Sequence, residues 1–256
     1  MSETKVDWEQ ILRVGTSIEG TERVAYYDAN ADVYDHDMAA SEYSGPRETA
    51  QLLHKYLQGQ VDANILDIAG GTGLVAKELK ELAPYCNVDG LDAATDMLEL
   101  AKQRGLYRKI FAQYFSMETN IPSNSYDAVS CCGGFIPGHV PSETTAKMVD
   151  LVKPGGYVII LMRLSFAETD PDLLKLRPLV HQLVETRNID LIEEAEARWS
   201  AWPVFYRLVA SQPDVLLAGL RAGPVFSDLG PAGPVQVSLS SVVMNRPLGL
   251  GTAGWR

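Results

Sequence analysis

The residues most able to do chemistry stand in Leu66-Asp-Ile-Ala-Gly-Gly-Thr-Gly-Leu74. An apolar run ends, a glycine-rich turn follows, and a helical pattern begins. Glycine permits positive φ and lets a ligand approach the backbone closely. Such a turn suits a cofactor lying across the carboxyl ends of parallel strands. Two other readings fit the same residues. Gly71-Thr-Gly-Leu-Val-Ala76 satisfies the dinucleotide pattern G-x-G-x-x-A. The glycines could also serve only to pack helix on strand. Asp92, in Val88-Asp-Gly-Leu-Asp92, ends the next apolar run. It lies about 20 residues beyond the loop, where an acidic side chain accepts hydrogen bonds from ribose hydroxyls. Asp67 sits immediately before the glycines. A pyrophosphate wants a free helix N-terminus, whereas an acidic group beside the loop suits a cation.

The other candidates are weaker. His139, in Phe135-Ile-Pro-Gly-His-Val140, has the residue type of a general base near neutral pH. A loop histidine bonded to backbone is the competing reading. His36 lies between Asp35 and Asp37, a pattern expected of a solvated loop, so no metal site is expected. The cysteines Cys86, Cys131 and Cys132 form no CxxC pair or disulfide framework. Cys131-Cys132 has apolar neighbours, unlike an activated nucleophile.

Four segments in order carry a family resemblance. Leu66-Asp-Ile-Ala-Gly-Gly-Thr-Gly73 resembles the first motif of class I S-adenosylmethionine-dependent methyltransferases, and Gly90-Leu-Asp-Ala-Ala-Thr-Asp-Met-Leu98 their second. Tyr126-Asp-Ala-Val-Ser130 resembles the fourth-strand motif, and Val152-Lys-Pro-Gly-Gly156 the turn before strand five. Tyr27-Asp-x-x-Ala31-x-x-Tyr34-Asp35, Gly105-Leu-Tyr107 and Gly138-His-Val140 are similar to the Williams–Beuren region methyltransferase-like proteins.

The resemblance implies S-adenosylmethionine as cofactor and S-adenosylhomocysteine as product. Asp67, Ala69, Gly70, Gly71 and Gly73 would line its methionine part. Asp92 would bind the ribose, with Ala93 beside it and Met97 near the adenine. Gln113 and Tyr114 stand where the family often has an Asp reading the adenine amino group. Gln113 still offers a carbonyl acceptor. Cys131 and Cys132 would border the methyl-transfer cleft, and Tyr34 would close over the cofactor carboxylate. Ala69 departs from the family pattern, which has glycine there. Overpacking a tight site costs roughly 1–3 kcal/mol. The sulfonium is already an activated methyl donor, so the protein's task is placing the acceptor. A base such as His139 is needed only if the acceptor carries a proton. The alternatives are an NAD-dependent oxidoreductase and a non-catalytic cofactor-binding paralogue.

These residues need a frame. Apolar runs at Asn64–Ala69, Asn87–Leu91, Ile110–Gln113, Tyr126–Cys132 and Tyr157–Met162 read as strands. Leu74–Leu82, Asp96–Gln103 (with Thr95 as its cap) and Ser142–Val152 read as helices between them. A further helix begins at Gly45-Pro46, where proline suits the first turn, and places Leu52, Leu53, Tyr56 and Leu57 on one face. The alternation predicts an α/β fold: a doubly wound, Rossmann-like, mainly parallel sheet of about seven strands, with helices on both faces. Asp170-Pro171 and Pro178 mark helix starts running to about Arg187. Leu191–Ala197 reads as helical and Val204–Val209 as a sixth strand. Residues 1–45 are expected to be a polar, irregular cap segment, and 46–210 the methyltransferase domain. Residues 211–256 contain no Lys or Glu but seven Gly and five Pro. They are expected to form a tail or a last strand at Val235–Met244.

Composition narrows the partners. The 256 residues carry 22 basic and 33 acidic side chains, a net charge of -11. A nucleic-acid partner is disfavoured, because neutralising phosphates takes clustered Lys and Arg. Hydrophobic residues make up 46%, enough for a large core, yet no stretch approaches the roughly 20 apolar residues that span a bilayer. The N-terminus has no signal-peptide pattern. The expectation is a cytoplasmic enzyme, without membrane association, acting on a small-molecule or protein acceptor. Oligomeric state is not encoded legibly.

Overall fold

The computed structural model describes residues 17–58, 60–187, 189–199 and 202–211. Its centre is a sheet of seven strands: β1 Asn64–Ile68, β2 Asn87–Asp92, β3 Ile110–Ala112, β4 Tyr126–Cys132, β5 Val152–Arg163, β6 Asp190–Trp199 and β7 Trp202–Ser211. The spatial order is β3-β2-β1-β4-β5-β7-β6. β1 to β5 pair in parallel, while β7 is antiparallel to both β5 and β6. The chain winds outward from β1 to β3, then crosses back to β4. The switch therefore falls between β1 and β4, where such folds bind ligands.

The described helices are α1 Gly20–Ala29, α2 Ala31–Ala40, α3 Gly45–Tyr56, α4 Leu74–Leu82, α5 Thr95–Gln103, α6 Thr145–Leu151, α7 Leu164–Thr169 and α8 Leu176–Arg187. Strand residues alternate between the two faces. Ile65, Ala128 and Ile159 pack with Leu53 of α3, Leu79 of α4 and Leu98 of α5. Leu66, Val129 and Ile160 pack on the opposite face with Met148 of α6 and Val180 of α8. Burial on both faces explains why these strands read as continuous apolar runs.

Several elements differ from the sequence expectation. Residues 20–40 are not irregular but form two short helices, with Arg23, Ala31 and Met38 buried. Their apolar positions are too few to give a helical period; docking supplies the stability instead. Thr95 is the first residue of α5, not its cap; Ala94 precedes it, and its backbone N–H donates to Asp92 at 2.9 Å. Leu191–Ala197 lies in strand β6, because edge pairing with β7 overrides the helical propensity of a Glu- and Ala-rich run. Lys153-Pro-Gly-Gly156 lies within β5 rather than before it, at a register shift opposite Tyr126. Ser142–Thr144 is a 3₁₀ turn leading into α6. The expected strand at Val235–Met244 falls outside the described residues. The antiparallel strand beside β5 is β7, which contains the expected strand Val204–Val209.

Candidate functional site

The loop between β1 and α4 is held from below by Tyr107. The tyrosine ring is buried, and its hydroxyl donates to Asp67 Oδ2 at 2.9 Å and reaches the Gly70 carbonyl at 3.0 Å. A Cβ on Gly70 would stand 2.3 Å from that hydroxyl, and one on Gly90 2.4 Å from the ring. Both glycines are therefore required by close approach. Ser130 donates to Asp67 Oδ1 at 2.8 Å. Burial raises the Asp67 pKa to about 6, although the Ser130 and Tyr107 hydrogen bonds oppose the shift.

Gly71 has φ +51 and donates its N–H to Asp92 Oδ2 at 2.9 Å. The strand-end carboxylate thus ties the glycine loop to the start of α5. Burial raises its pKa, against hydrogen bonds from Ala94, Gly71 and Ala93. Ala69 also has positive φ, +52. Its methyl group points toward Gly134, where an added Cβ would lie 2.8 Å away. The missing family glycine is therefore accommodated by a second glycine across the β4 loop, and the strain sits in the backbone.

From the other side, α1 and α2 cover the loop. Thr72 donates to Asp35 Oδ1 at 2.5 Å, and Arg104 Nη1 donates to Asp35 Oδ2 at 2.6 Å. Asp28 accepts the Asp96 N–H at 2.9 Å. Buried Arg23 donates to the carbonyls of Gly138 and Ile18. Tyr27 lies 3.0 Å from His139 Nε2 through its hydroxyl. Burial raises the Tyr27 and Tyr34 hydroxyls well above the ordinary tyrosine range, so both are protonated. It lowers His139 to about 4, leaving the imidazole neutral near pH 7.

A single cavity runs between these elements. Of the predicted residues, Asp67, Ala69, Gly70 and Gly71 line it at β1, and Asp92, Ala93 and Met97 at β2 and α5. Gln113 and Tyr114 line it after β3, and Tyr34 and His139 from the cap and the β4 loop. Gly73 does not: it precedes α4 with φ +84 and faces Leu106 and Ala101. Nor does Cys131, which points into the core among Leu66, Phe135 and Ile160. Strand alternation gives the place to Cys132, whose Sγ lies 3.3 Å from the Tyr43 hydroxyl. Burial pushes the Cys132 thiol to about 12, excluding it as a thiolate at neutral pH.

Arg23, Tyr27, Tyr43, Thr72, Phe115 and Arg163 line the cavity without having been singled out. Tyr27 and Thr72 lay in quoted motifs, and the other four did not. Nothing local to Arg23 or Arg163 distinguishes them from surface arginines, because their placement depends on the docking of α1 and on where β5 ends. His36 is exposed, with Nδ1 3.4 Å from Asp37 Oδ1. Among the described residues no His, Cys, Asp or Glu cluster could hold a metal. No helix there is long and apolar enough to cross a membrane.

The donor set fits S-adenosylmethionine. Asp67 and Asp92 give the loop side negative potential, which suits an ammonium and a sulfonium. Asp35 on Thr72 adds a third carboxylate at the α4 N-terminus, so a pyrophosphate would meet repulsion there.

Residues 65–156 match the family model of a methyltransferase domain. Human methyltransferase-like protein 27 is 32% identical over 189 residues, covering 72% of this chain and 71% of that protein. A demethylmenaquinone methyltransferase of Deinococcus radiodurans is 35% identical over 100 residues, covering 38% and 42%. Among solved structures, a SAM-dependent methyltransferase of Leishmania major superposes with a TM-score of 0.53 at 18% identity, covering 73% of this chain and 81% of that one. The [4+2]-cyclase SpnF superposes with 0.51 at 14%, covering 66% and 81%, so the fold alone does not set the reaction. With the motifs, the cavity and a relative matched over most of its length, the chain belongs to the class I S-adenosylmethionine-dependent methyltransferases, alongside the methyltransferase-like protein of the Williams–Beuren region.

Proposed function

We propose that the two ends of the cavity divide the work of methyl transfer. The β1–β2–β3 end holds the cofactor: the Ala69–Gly71 backbone and Asp67 receive the methionine part, Asp92 the ribose, and Met97 and Gln113 the adenine. The β4–β5 end, with Tyr27, Tyr43, Cys132, His139 and Arg163, receives the acceptor. The observation that carries this reading is the continuity of one cavity from Asp92 to His139 across the β1–β4 switch. When bound, the cofactor supplies an electrophilic methyl group. The chain's own contribution is to orient the acceptor and exclude water.

Helices α1 and α2 act as a cap on the 46–210 domain, and Tyr34 stands at their inner face. A small-molecule acceptor is favoured over a protein, because Arg23 and Tyr27 of α1 bond to Gly138 and His139 and so cover the β4–β5 end. The relatives named as demethylmenaquinone methyltransferases act on a small molecule, which supports the same choice. The net charge of -11 weighs against nucleic acid. Three free thiols, Cys86, Cys131 and Cys132, support a cytoplasmic setting.

Melting curves test the cofactor class. S-adenosylmethionine at 100 times its Kd should stabilise the protein by about 2.7 kcal/mol, while NAD should leave the melting temperature unchanged. A shift with NAD alone would overturn the reading.

A further inference from the structure

Tyr27 and His139 form a hydrogen-bonded chain whose direction can be read from its ends. His139 Nδ1 lies 3.0 Å from the Pro137 carbonyl. A carbonyl only accepts, so Nδ1 carries the proton of the neutral ring. Nε2 is then a bare lone pair. The Tyr27 hydroxyl, 3.0 Å away, must donate to it. With its own proton committed to His139, the Tyr27 oxygen can only accept from whatever shares the cavity that both residues line. The rings meet edge to face at 5.6 Å, which fixes the pair's orientation.

We propose that Tyr27 recognises an O–H group of the methyl acceptor and that His139 takes up its proton through Tyr27, making the acceptor a neutral phenol or enol. This rests on the proposed placement of the acceptor at the β4–β5 end. As the acceptor oxygen's lone pair forms the new C–O bond, the methyl–sulfur bond breaks and its electron pair stays on sulfur as a neutral thioether. The acceptor proton moves to the Tyr27 oxygen, and Tyr27's proton moves to His139 Nε2. The positive charge thus passes from sulfonium to imidazolium, and no further reagent is required.

The surroundings select the acceptor. Arg23, 7% exposed, is anchored on the Gly138 carbonyl beside the pair. A fixed guanidinium next to a cationic donor disfavours an ammonium acceptor. A thioether or tertiary amine has no proton to give to Tyr27. Val24, Tyr34 and Ile136 supply apolar and aromatic walls suited to a ring. The groups that bear on the pair electrostatically are Arg23 and Tyr26 on α1 and Asp92 on β2, with the Tyr34 ring against Tyr27 from α2. Burial holds His139 near 4, so it is unprotonated across the neutral range. A base this weak accepts a proton only as the C–O bond forms. That requirement favours the more acidic hydroxyls, phenols and enols, over alcohols.

The test uses 4-nitrophenol, whose absorbance separates the neutral phenol from the phenolate. It is titrated into the full-length protein saturated with S-adenosylhomocysteine. In the wild type the probe should bind as neutral phenol, with its apparent pKa raised. Tyr27→Phe should weaken that binding at least tenfold and abolish the shift, with S-adenosylhomocysteine affinity unchanged. His139→Gln keeps an acceptor for the Tyr27 hydroxyl, so it should retain probe binding while lowering kcat for methylation of the probe at least 100-fold. The ratio of wild-type kcat to that of His139→Gln should stay flat from about pH 8 to 5.5, because the lowered pKa puts protonation of His139 below that range and Asp67, raised to about 6, titrates in both proteins. If Tyr27→Phe fails to bind S-adenosylhomocysteine, His139→Gln decides. Binding of the probe as phenolate, or no probe binding while S-adenosylhomocysteine binds normally, overturns the relay alone. A fall in that ratio centred near 6.5, or unchanged kcat in His139→Gln, does so as well. Failure of the wild type to bind S-adenosylhomocysteine overturns the cofactor reading and the relay with it.

Discussion

Ala69 shows what one methyl group does in this loop. The left-handed backbone region costs a non-glycine residue roughly 1–2 kcal/mol, and Ala69 sits there with φ +52. The side chain itself is tolerated, because Gly134 opposite has no Cβ to meet it. The stored cost is therefore conformational, at a position that lines the cavity. Ala69→Gly should raise stability by about 1 kcal/mol, or a melting temperature higher by roughly 2–4 °C for a domain of this size. An unchanged or lower melting temperature would show that the strain is relieved in a way the loop geometry does not reveal. At this scale the sequence was informative about identity and less so about direction. Asp67, Asp92 and the glycines were legible from their spacing. The choice of Cys132 over Cys131 needed the phase of β4, and the phase depends on which face meets α3.

At the scale of elements, one residue of the cap joins two parts of the domain. Asp35 joins α2 to Thr72 in the glycine loop and to Arg104 after α5. Both Asp35 and Arg104 are partly exposed, so the ion pair contributes under about 1 kcal/mol. The Thr72 hydrogen bond adds about 1 kcal/mol. Asp35→Ala should weaken S-adenosylmethionine binding about 3- to 10-fold, with the melting temperature of the cofactor-free protein lowered by only a few degrees. Unaltered affinity, measured by calorimetry, would show that the cap does not report on the loop. The helical character of residues 20–40 was hidden in the sequence because it depends on how they dock. Their docking combines polar bonds with a small apolar contact of Tyr27, Ala31 and Tyr34 on Ala94 and Met97, too few positions to give a 3.6-residue apolar period. The opposite error at Leu191–Ala197 has a matching cause. Local propensity favoured helix, but pairing at the sheet edge is a long-range effect that no local window contains.

At the scale of the whole molecule, strand order does most of the functional work. The switch between β1 and β4 opens the carboxyl edge of the sheet at one place. The cavity-lining motif residues of β1 and β2 and the β4 loop with His139 both end there. β1, β2, β4 and β5 were legible because their central residues are buried and turn residues bound them, while the short, partly exposed β3 was legible only from its apolar Ile110-Phe111 pair. The order β5-β7-β6 was not, since it depends on pairing across more than forty residues between β5 and β7. The β4–β5 end of the cavity is correspondingly less legible: it is built by α1, the β4 loop and the end of β5, elements remote in sequence.

The central claim is that Asp92, where the glycine loop meets β2, holds the cofactor ribose. Calorimetry with S-adenosylmethionine on the wild type and on Asp92→Ala tests it most directly. Two charge-assisted hydrogen bonds to ribose hydroxyls contribute about 1.5–3 kcal/mol, so Asp92→Ala should bind about 10- to 100-fold more weakly. Equal affinities in the two proteins would contradict the account.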